Sequence, residues 1–297
     1  MMTLDVPLDE QLGYFYRQAC DIELQAFKPG NVSIYADGHD MTVADFRLSA
    51  EVSAVPLCNP NYTLGEKIFY AVKATREAVA CNTNLGIILL CAPLIQATVD
   101  RKPDCTLRQS LQRVLTTTTI EDAEWVFNAI VLASPGGLGN SDTQDVSGKP
   151  SENLAEAMRL ASSRDRIALQ YITIYQDIFD FAILIYYNAM RKWGKQDWAA
   201  VSVYVGLLCQ FPDSHIERKY GSQYTEMVAK MMTSLSEEMS SVERPEQVLP
   251  SFYSVDKALK AKHLNPGTMA DLTVATVFTV FLEDVIKLTL HNKNLPI

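Results

Sequence analysis

The stretch that most constrains the fold runs from Asn82 to Leu94 and reads NTNLGIILLCAPL. Its first three residues are polar, and those that follow are almost all apolar. Because Asn and Thr are favoured at helix N-caps, the pattern predicts a deeply buried helix that begins near Asn84. The first turn of a helix carries unpaired N–H groups and partial positive charge, which suits an anion. An ordinary capped core helix is the alternative interpretation.

Helical patterns recur along the rest of the chain. Apolar residues follow helical spacing over residues 8–27, and further helices are expected over about 42–55 and 64–81. Two predicted capping boxes, Thr106-x-x-Gln109 and Thr118-x-x-Glu121, each precede helical sequence. We find no sustained period-two alternation, no internal repeat and no credible linker. The sequence therefore predicts an all-α fold, with residues 1–297 forming a single globular multi-helix domain.

The second half of the chain contains the longest helical pattern, from Asn153 to about Ala189, with a candidate break near Ser162-Ser163. Its apolar residues are predicted to share one face. A polar stripe on the same helix is explained either by a solvated surface or by acids that line a site. Residues 241–257 have the weakest pattern and are predicted to form a lid or a surface crossing. The last helix is predicted to open at Pro266-Gly267-Thr268. The polar stripe consists of Arg166, Gln170, Thr173, Asp177 and Asp180.

Charge and cysteine usage restrict the class of function. A net charge of −9 argues against a non-specific nucleic-acid binder, which needs a basic surface. The six cysteines form no CxxC pair and are typical of reduced thiols. The N-terminus lacks the pattern of a secretory signal, and no segment has the roughly 20 uninterrupted apolar residues of a membrane span. We therefore expect a cytoplasmic protein that binds neither nucleic acid nor membrane.

A glycine-rich segment, Pro135 to Gly139, follows a predicted helix. It is not a Walker motif, because no Gly-Lys-Ser/Thr follows and the segment comes after a helix. A helix C-cap accounts for one glycine, so Gly136 and Gly137 are candidates for a close approach of backbone to ligand. Asp142 and Asp145 follow closely and are candidate ligands of a divalent cation.

Two further clusters mix acids, imidazole and base. The first lies between Lys28 and Asp45, around a predicted helix start. Hard cations such as Mg²⁺ take carboxylate oxygens together with substrate phosphates, which this mixture offers. The second lies between Asp213 and Lys219, where an exposed charge cluster is the alternative. The first cluster contains Lys28, Asn31, His39, Asp40 and Asp45, and the second contains Asp213, His215, Arg218 and Lys219.

Six of these motifs, in this order, resemble the triphosphoribosyl-dephospho-CoA synthase family over about residues 15–285. The resemblance implies an all-α fold. The motifs are Lys28-Pro29-Gly30-Asn31-Val32, the His39-Asp40 to Ala50 segment, Asn82-Thr83-Asn84-Leu85-Gly86, Pro135-Gly136-Gly137-Leu138-Gly139, Asp213-Ser214-His215-Ile216 with Arg218-Lys219, and Asn265-Pro266-Gly267-Thr268-Met269-Ala270-Asp271-Leu272.

The resemblance also implies a reaction. In this family the 2′-hydroxyl of 3′-dephospho-CoA attacks the anomeric carbon of the ATP ribose, and adenine leaves. Such a substitution needs a base, a proton for the leaving group and a cradle for the triphosphate. The candidates for catalysis are His39, Asp40, Asp45, Asp213 and His215. The candidates for substrate binding are Lys28, Asn31, Asn82, Thr83, Asn84, Gly136, Gly137, Arg218, Lys219 and Asp271, and those for a magnesium ion are Asp40, Asp142 and Asp145.

One departure from the family pattern bears on the substrate. Members of the decarboxylase pathways tend to carry His-Lys where this chain has Asn84-Leu85. The Asn-Leu version resembles relatives from archaea and methylotrophic bacteria. There the resemblance implies phosphoribosyl diphosphate as an alternative donor, in the synthesis of a tetrahydromethanopterin-type one-carbon cofactor.

Two other classes of function stay open on the sequence. A hydrolase would use water as the acceptor and would hold two metals in the acidic clusters. A helical binding protein without catalytic activity would bind nucleotide but would not convert it. In each case the partners are small molecules, and a homo-oligomer is possible.

Overall fold

Helices make up the regular structure of this chain. The computed structural model describes residues 6–36, 41–134 and 148–293, with side chains described as far as residue 287. Within these ranges the chain forms fourteen α-helices and no β-strand, apart from one isolated bridge between Ser33 and Ala36. The helices are α1 (Leu8–Gln25), α2 (Val43–Leu57), α3 (Leu64–Val79), α4 (Leu85–Val99), α5 (Leu107–Thr116), α6 (Ile120–Ala133), α7 (Leu154–Ala161), α8 (Arg166–Thr173), α9 (Ile183–Trp193), α10 (Gln196–Gln210), α11 (Ser214–Tyr220), α12 (Thr225–Ser241), α13 (Leu249–Lys260) and α14 (Gly267–Lys293).

The predicted central helix is α4, with Asn84 at its N-cap. Every residue from Ile87 to Ile95 is buried, so this helix is enclosed rather than amphipathic. It packs against α3, α5 and α14, and the buried apolar side chains around it form one cluster. The prediction of an all-α fold built around a buried helix that begins near Asn84 is confirmed.

A proline inside this buried helix is accommodated by two tyrosines. Pro93 has no N–H, so the carbonyl of Leu89, one turn earlier, lacks its usual intrahelical partner. The hydroxyl of Tyr171 donates to that carbonyl oxygen at 2.7 Å, and the hydroxyl of Tyr175 donates to the next one, Leu90, at 2.9 Å. The two hydrogen bonds satisfy buried acceptors and tie α8 and the residues after it to α4.

Capping boxes set several helix starts. The predicted box Thr106–Gln109 is present, and Thr42 forms another with Asp45. The predicted box at Thr118 is wrong by one residue, because Thr119 caps α6 and Asp122 is its partner. Asp122 is buried and also accepts from the N–H of Gly65 at 2.9 Å, so the packing of α6 on α3 fixes the register. Helix α2 also runs beyond its predicted end, with Pro56 inside its last turn.

The candidate break near Ser162-Ser163 is present, because α7 ends at Ala161, but the prediction of a continuous helix from there to about Ala189 is wrong. The chain instead forms α7, α8, a π-helix over Asp177–Ala182, and α9. Ile174 and Tyr175 both have φ of 54°, and the axis bends by 89° between α8 and the segment that follows. The polar stripe supplies one ion pair across this bend, between Asp177 and Arg166 at 2.7 Å, whereas Asp180 pairs with Arg108 of α5. The apolar residues therefore do not share one straight face.

The segment 241–257, predicted as a lid or crossing, is neither. It contains a 3₁₀ turn over Pro245–Val248 and most of α13. Val248 and Phe252 are fully buried, so this segment belongs to the core. By contrast, the last helix opens at Gly267, as predicted.

No single helix among the described residues is both long and apolar enough to cross a membrane. The pair Arg166–Thr173 and Asp177–Trp193 passes that test of length and composition only when taken together across its bend.

The turn after α1 is held from three sides. The N–H of Gly30 donates to the carboxylate of Asp256 on α13 at 2.8 Å, and the hydroxyl of Tyr204 donates to the carbonyl of Pro29 at 2.8 Å. Gly30 has φ of +85°, and a Cβ there would lie 2.9 Å from the backbone oxygen of Leu264. Only glycine fits this position without a shift of the backbone.

We expect Gly30→Ala to lower the free energy of unfolding by about 2–3 kcal/mol, because it adds backbone contact to left-handed strain. Gly194→Ala is the matched control, since Gly194 has φ of +65° with nothing within 4 Å. The control should cost only about 1 kcal/mol. Urea unfolding followed by far-UV circular dichroism measures the free energy of unfolding of both variants. Equal losses of stability in the two variants would contradict the predicted clash between a Cβ at position 30 and the backbone of Leu264.

Candidate active site

A cavity of about 360 Å³ opens at the N-terminal end of α4. This volume lies in the range of roughly 300–1,000 Å³ that is usual for small-molecule sites. Its walls come from α1, α2, α4, α6, α7, α8, α11 and α14, several of which are far apart in sequence. Six of the predicted site residues lie on these walls, namely Asn31, Asn82, Thr83, His215, Arg218 and Asp271.

One side of the cavity is apolar. It is built by α6 and α7, whose side chains Val126, Phe127, Ile130, Leu154 and Met158 face the space. Polar side chains, among them Asn82, His215 and Asp271, line the same cavity. A largely apolar lining with a few polar groups is typical of a small-molecule site.

The polar triplet before α4 is anchored to α2. The hydroxyl of Thr83 donates to Ser49 at 2.6 Å, and the amide of Asn84 donates to Ser53 at 3.2 Å. The side chain of Asn82 accepts from the N–H of Leu85 at 3.2 Å. The triplet therefore holds the first turn of α4 in place, and Asn84 itself lies outside the cavity wall.

Asp271 of α14 lies directly against that first turn. A Cβ at Gly86 would lie 2.0 Å from Oδ2 of Asp271, so only glycine allows this approach. The carboxylate makes no ion pair with the described residues. Burial, followed by the nearby carboxylates of Glu23 and Asp213, raises the pKa of Asp271 well above its usual range.

The start of α11 is joined to the start of α14. Asp213 caps α11 by accepting from the N–H of Ile216 at 3.0 Å, and it also accepts from the N–H of Met269 at 2.9 Å. Asp213 was predicted to be catalytic, but it is buried and absent from the cavity wall because both carboxylate oxygens bind backbone. Burial raises its pKa to about 6, against the opposing effect of these hydrogen bonds.

His215 does lie on the wall, with Nδ1 against the backbone of Gly267. A Cβ at Gly267 would come within 2.8 Å of that nitrogen. Burial, together with the positive charges of Arg218 and Lys219, lowers the pKa of His215 to about 4. The imidazole is therefore neutral near pH 7.

Two arginines lie at the cavity. Arg218 forms an ion pair with Asp165, which also caps α8 by accepting from the N–H groups of Ile167 and Ala168. Arg164 lies on the wall and is exposed. Both arginines therefore contribute to the lining of the cavity.

Lys28 was predicted to bind substrate, but its amino group does not reach the cavity. It is fully buried, forms an ion pair with Glu23 at 3.1 Å and donates to the carbonyl of Val32 at 2.5 Å. The nearby Asn31 does face the cavity, and its amide donates to the side chain of Asn265 at 2.7 Å.

Two more predicted residues lie away from the cavity wall. Asp45 is used in the capping box of α2, where hydrogen bonds from Thr42 lower its pKa. Lys219 is exposed and lies 5.2 Å from the ring centre of Tyr220. The remaining candidates, His39, Asp40, Gly136, Gly137, Asp142 and Asp145, lie outside the described residues.

Several wall residues were not predicted. Gly86 and Asn265 lie inside motifs that were recognised but were not selected, and Arg164 and Asp165 lie at a helix break that was only partly predicted. Glu23 was missed because it reads as part of an ordinary amphipathic helix. The available signal was its position about one turn before Lys28-Pro29-Gly30, the sequence that ends the helix. In the part of the chain that the structure describes, no three His, Cys, Asp or Glu side chains form a metal cluster.

The chain has an all-α fold with a cavity at the start of α4, and the model of the ATP:dephospho-CoA triphosphoribosyl transferase family, a family of transferases, matches residues 9–289. Because that match spans nearly the whole chain, the chain belongs to this family. The resemblance seen in the sequence motifs is thereby confirmed.

A solved structure gives a second comparison. It comes from Archaeoglobus fulgidus and carries the provisional name triphosphoribosyl-dephospho-CoA synthase. It is 24% identical, with a TM-score of 0.61, and the match covers 79% of this chain and 97% of that one. At this identity the likeness bears on the fold alone. None of the curated proteins matches the chain.

We expect His215 to make stability fall in acid. Its folded pKa of about 4 lies below the ordinary 6.5, so the unfolded state takes up the proton first as the pH falls from 6.5 to 4. The loss amounts to up to about 3 kcal/mol. The raised pKa of Asp213 has the opposite effect, because it adds stability as the pH falls from 6 to 3.8. The measurement therefore compares the acid-induced loss of stability between a variant and the unaltered chain.

Urea unfolding at pH 7 and pH 4.5 should show a smaller acid loss for His215→Asn than for the unaltered chain. His263→Asn, outside the cavity wall, is the control. An unchanged acid loss in His215→Asn would contradict the burial of a neutral imidazole.

Proposed function

We propose that the cavity binds ATP and 3′-dephospho-CoA and transfers the triphosphoribosyl group to the 2′-hydroxyl of the acceptor, with release of adenine. The observation that carries this proposal is the convergence of Asn82, Asp271, His215 and Arg218 on one cavity at the start of the buried helix α4. Membership of the transferase family supports the same reaction class.

The reaction breaks one bond and forms another at the same carbon. The bond between the anomeric carbon and N9 of adenine breaks, and its electron pair leaves with the base. The acceptor oxygen bonds to the anomeric carbon and loses its proton. Positive charge grows on the sugar in the transition state, as in glycoside hydrolysis.

The polar groups of the cavity suit the triphosphate. Arg164 and Arg218 supply positive charge, and the first turn of α4 adds the partial charge of its N–H groups. The apolar side, formed by α6 and α7, suits the adenine ring.

Asp271 is the proton donor to the leaving adenine in this proposal. Burial and the nearby carboxylates raise its pKa and so favour the protonated carboxyl, and a neutral acid beside the leaving group is what departure of a base requires. His215 is a poorer choice, because its lowered pKa leaves it without a proton to give.

Leu85 favours a second candidate. It lies on the cavity wall, at a position where relatives from the decarboxylase pathways tend to carry lysine. Without that positive charge, phosphoribosyl diphosphate is an alternative donor and a hydroxyl of a one-carbon cofactor precursor is an alternative acceptor. The chemistry at the anomeric carbon is the same.

Magnesium dependence belongs to this proposal as well. The described residues offer no metal cluster, and the predicted ligands Asp40, Asp142 and Asp145 lie outside them. Mg²⁺ commonly enters such sites on substrate phosphates, with one or two carboxylates from the protein. We assign no catalytic step to it.

The assay uses purified protein with Mg²⁺, ATP and dephospho-CoA, followed by chromatography and mass spectrometry. We expect free adenine and a product heavier by one triphosphoribosyl group, and loss of both when EDTA replaces Mg²⁺. Pyrophosphate released only from phosphoribosyl diphosphate would favour the second candidate. Ribose triphosphate formed without acceptor would indicate a hydrolase, and nucleotide binding without turnover would indicate a binding protein.

We expect Asp271→Asn to lower kcat by about 10²–10⁴-fold, because the amide keeps the shape but cannot give up a proton. Glu283→Gln is the control, since Glu283 lies on the same helix outside the cavity wall and is paired with Lys287 at 3.8 Å. Initial rates and calorimetric ATP binding separate chemistry from affinity. A kcat equal to that of the control would remove Asp271 from the proton transfer.

A further inference from the structure

Glu23 is a buried acid on the cavity wall for which the reaction above has no role. It lies in the last turn of α1 and is only 3% exposed, yet it borders the cavity. Lys28 lies behind it, fully buried, with Nζ 3.1 Å from the Glu23 carboxylate. A buried pair of this kind contributes little net stability compared with apolar residues, so its presence at a cavity calls for another explanation.

We propose that Glu23 is the catalytic base that removes the proton from the acceptor hydroxyl, and that Lys28 is the positioning residue that keeps the Glu23 carboxylate ionised and directed at the cavity. This inference rests on the proposed function, since it supplies the base that the transfer reaction requires.

The two acids of the cavity have different surroundings. Glu23 has a cation in contact, whereas Asp271 has none among the described residues and lies against the backbone of Gly86. Burial is the larger effect, and it raises the pKa of Glu23 and lowers that of Lys28, while the charge of each partner opposes the shift of the other. The Glu23 charge also raises the pKa of Asp271. The contact with Lys28 therefore favours the ionised form of Glu23, and a negative charge on Glu23 favours the protonated form of Asp271.

Other nearby acceptors are already occupied. Asp213 accepts from two backbone N–H groups, and Asp165 is bound to Arg218 and to the start of α8. His215 is neutral but is a weak base, because its pKa is lowered to about 4. Among the carboxylates on the described part of the cavity wall, Glu23 differs because its partner is Lys28, a cation that does not line the cavity.

The charged and titratable groups around the pair come from several elements. The ionisation of Glu23 is coupled to Lys28, and that of Lys28 is also affected by Lys260. Asp271 responds to Asp213 and Asp165, which raise its pKa, and to Arg218, which lowers it. The remaining groups that interact with Glu23 or Asp271 are Cys20, Cys91 and Tyr204, whose pKa values are all raised, chiefly by burial.

The step balances as follows. The acceptor oxygen forms its bond to the anomeric carbon while its proton passes to the Glu23 carboxylate. The electron pair of the broken carbon–nitrogen bond goes to adenine, which receives the proton of Asp271. Glu23 is then protonated and Asp271 ionised, and exchange of one proton between them or with water restores the starting state.

The test compares Glu23→Gln with the double variant Glu23→Gln/Lys28→Met. The single variant leaves a buried Lys28 unpaired, whereas the double variant removes both charges and protects the fold. We expect both to lower kcat by about 10²–10⁴-fold while calorimetric ATP binding changes little. Glu23→Asp should restore part of the lost rate, and Glu10→Gln, an exposed acid on the same helix, is the control.

The pH dependence of kcat/KM distinguishes a positioning role of Lys28 from a purely structural one. In Lys28→Met the pKa of Glu23 rises because its cation is gone, so the acidic limb of kcat/KM should move to higher pH by about one unit or more. Lys73→Met, which removes an exposed cation from α3, should leave the profile unchanged.

The outcomes are distinguishable from failure of the proposed function. If the unaltered protein does not turn over ATP and dephospho-CoA, the function itself is wrong. If the unaltered protein turns over but the double variant, folded by circular dichroism, keeps its kcat, then Glu23 is not the base. An unshifted acidic limb in Lys28→Met would remove the positioning role of Lys28.

Discussion

The contact between Gly86 and Asp271 sets the geometry on which the site depends. A Cβ at Gly86 would lie 2.0 Å from the Asp271 carboxylate, so α14 and the first turn of α4 can meet only at a glycine. That approach brings an acid of one helix to the partly positive end of another. It also carries the start of α14, with Thr268 and Met269, against the start of α11. The polar wall is thus built from helix ends that converge, and the core holds them.

Burying this much charge is unfavourable, and the structure offsets the cost group by group. Lys28 and Glu23 neutralise one another, Asp213 is satisfied by two backbone N–H groups, and Asp165 by Arg218 and α8. Asp271 has no such compensation in the described residues, and its pKa is raised accordingly. An acid left uncompensated inside a cavity is a functional signal, because a purely structural acid would be paired or replaced.

The sequence predicted features that depend on neighbours in the chain and failed where the cause was tertiary. The box Thr106–Gln109 and the start at Asn84 are local, and both were found. The box at Thr118 was misplaced by one residue because Asp122 also binds Gly65 on α3, a contact that no local pattern contains. Lys28 was read as a phosphate ligand for the same reason, since its partner Glu23 faces it only once α1 has ended and the chain has turned at Gly30.

Asn84 and Leu85, which stand where relatives from the decarboxylase pathways tend to carry His-Lys, differ in their position relative to the cavity. Asn84 turns toward Ser53 on α2, outside the cavity, so a different side chain there would act on the anchoring of α4 rather than on substrate. Leu85 is on the wall, so its apolar side chain removes a place where a cation would meet phosphate. The N–H groups of the first turn of α4 are unaffected by either change, because they belong to the backbone. Under the proposed function, affinity for a phosphorylated sugar would come from the backbone of this helix, and the side chain at position 85 would affect the choice among donors.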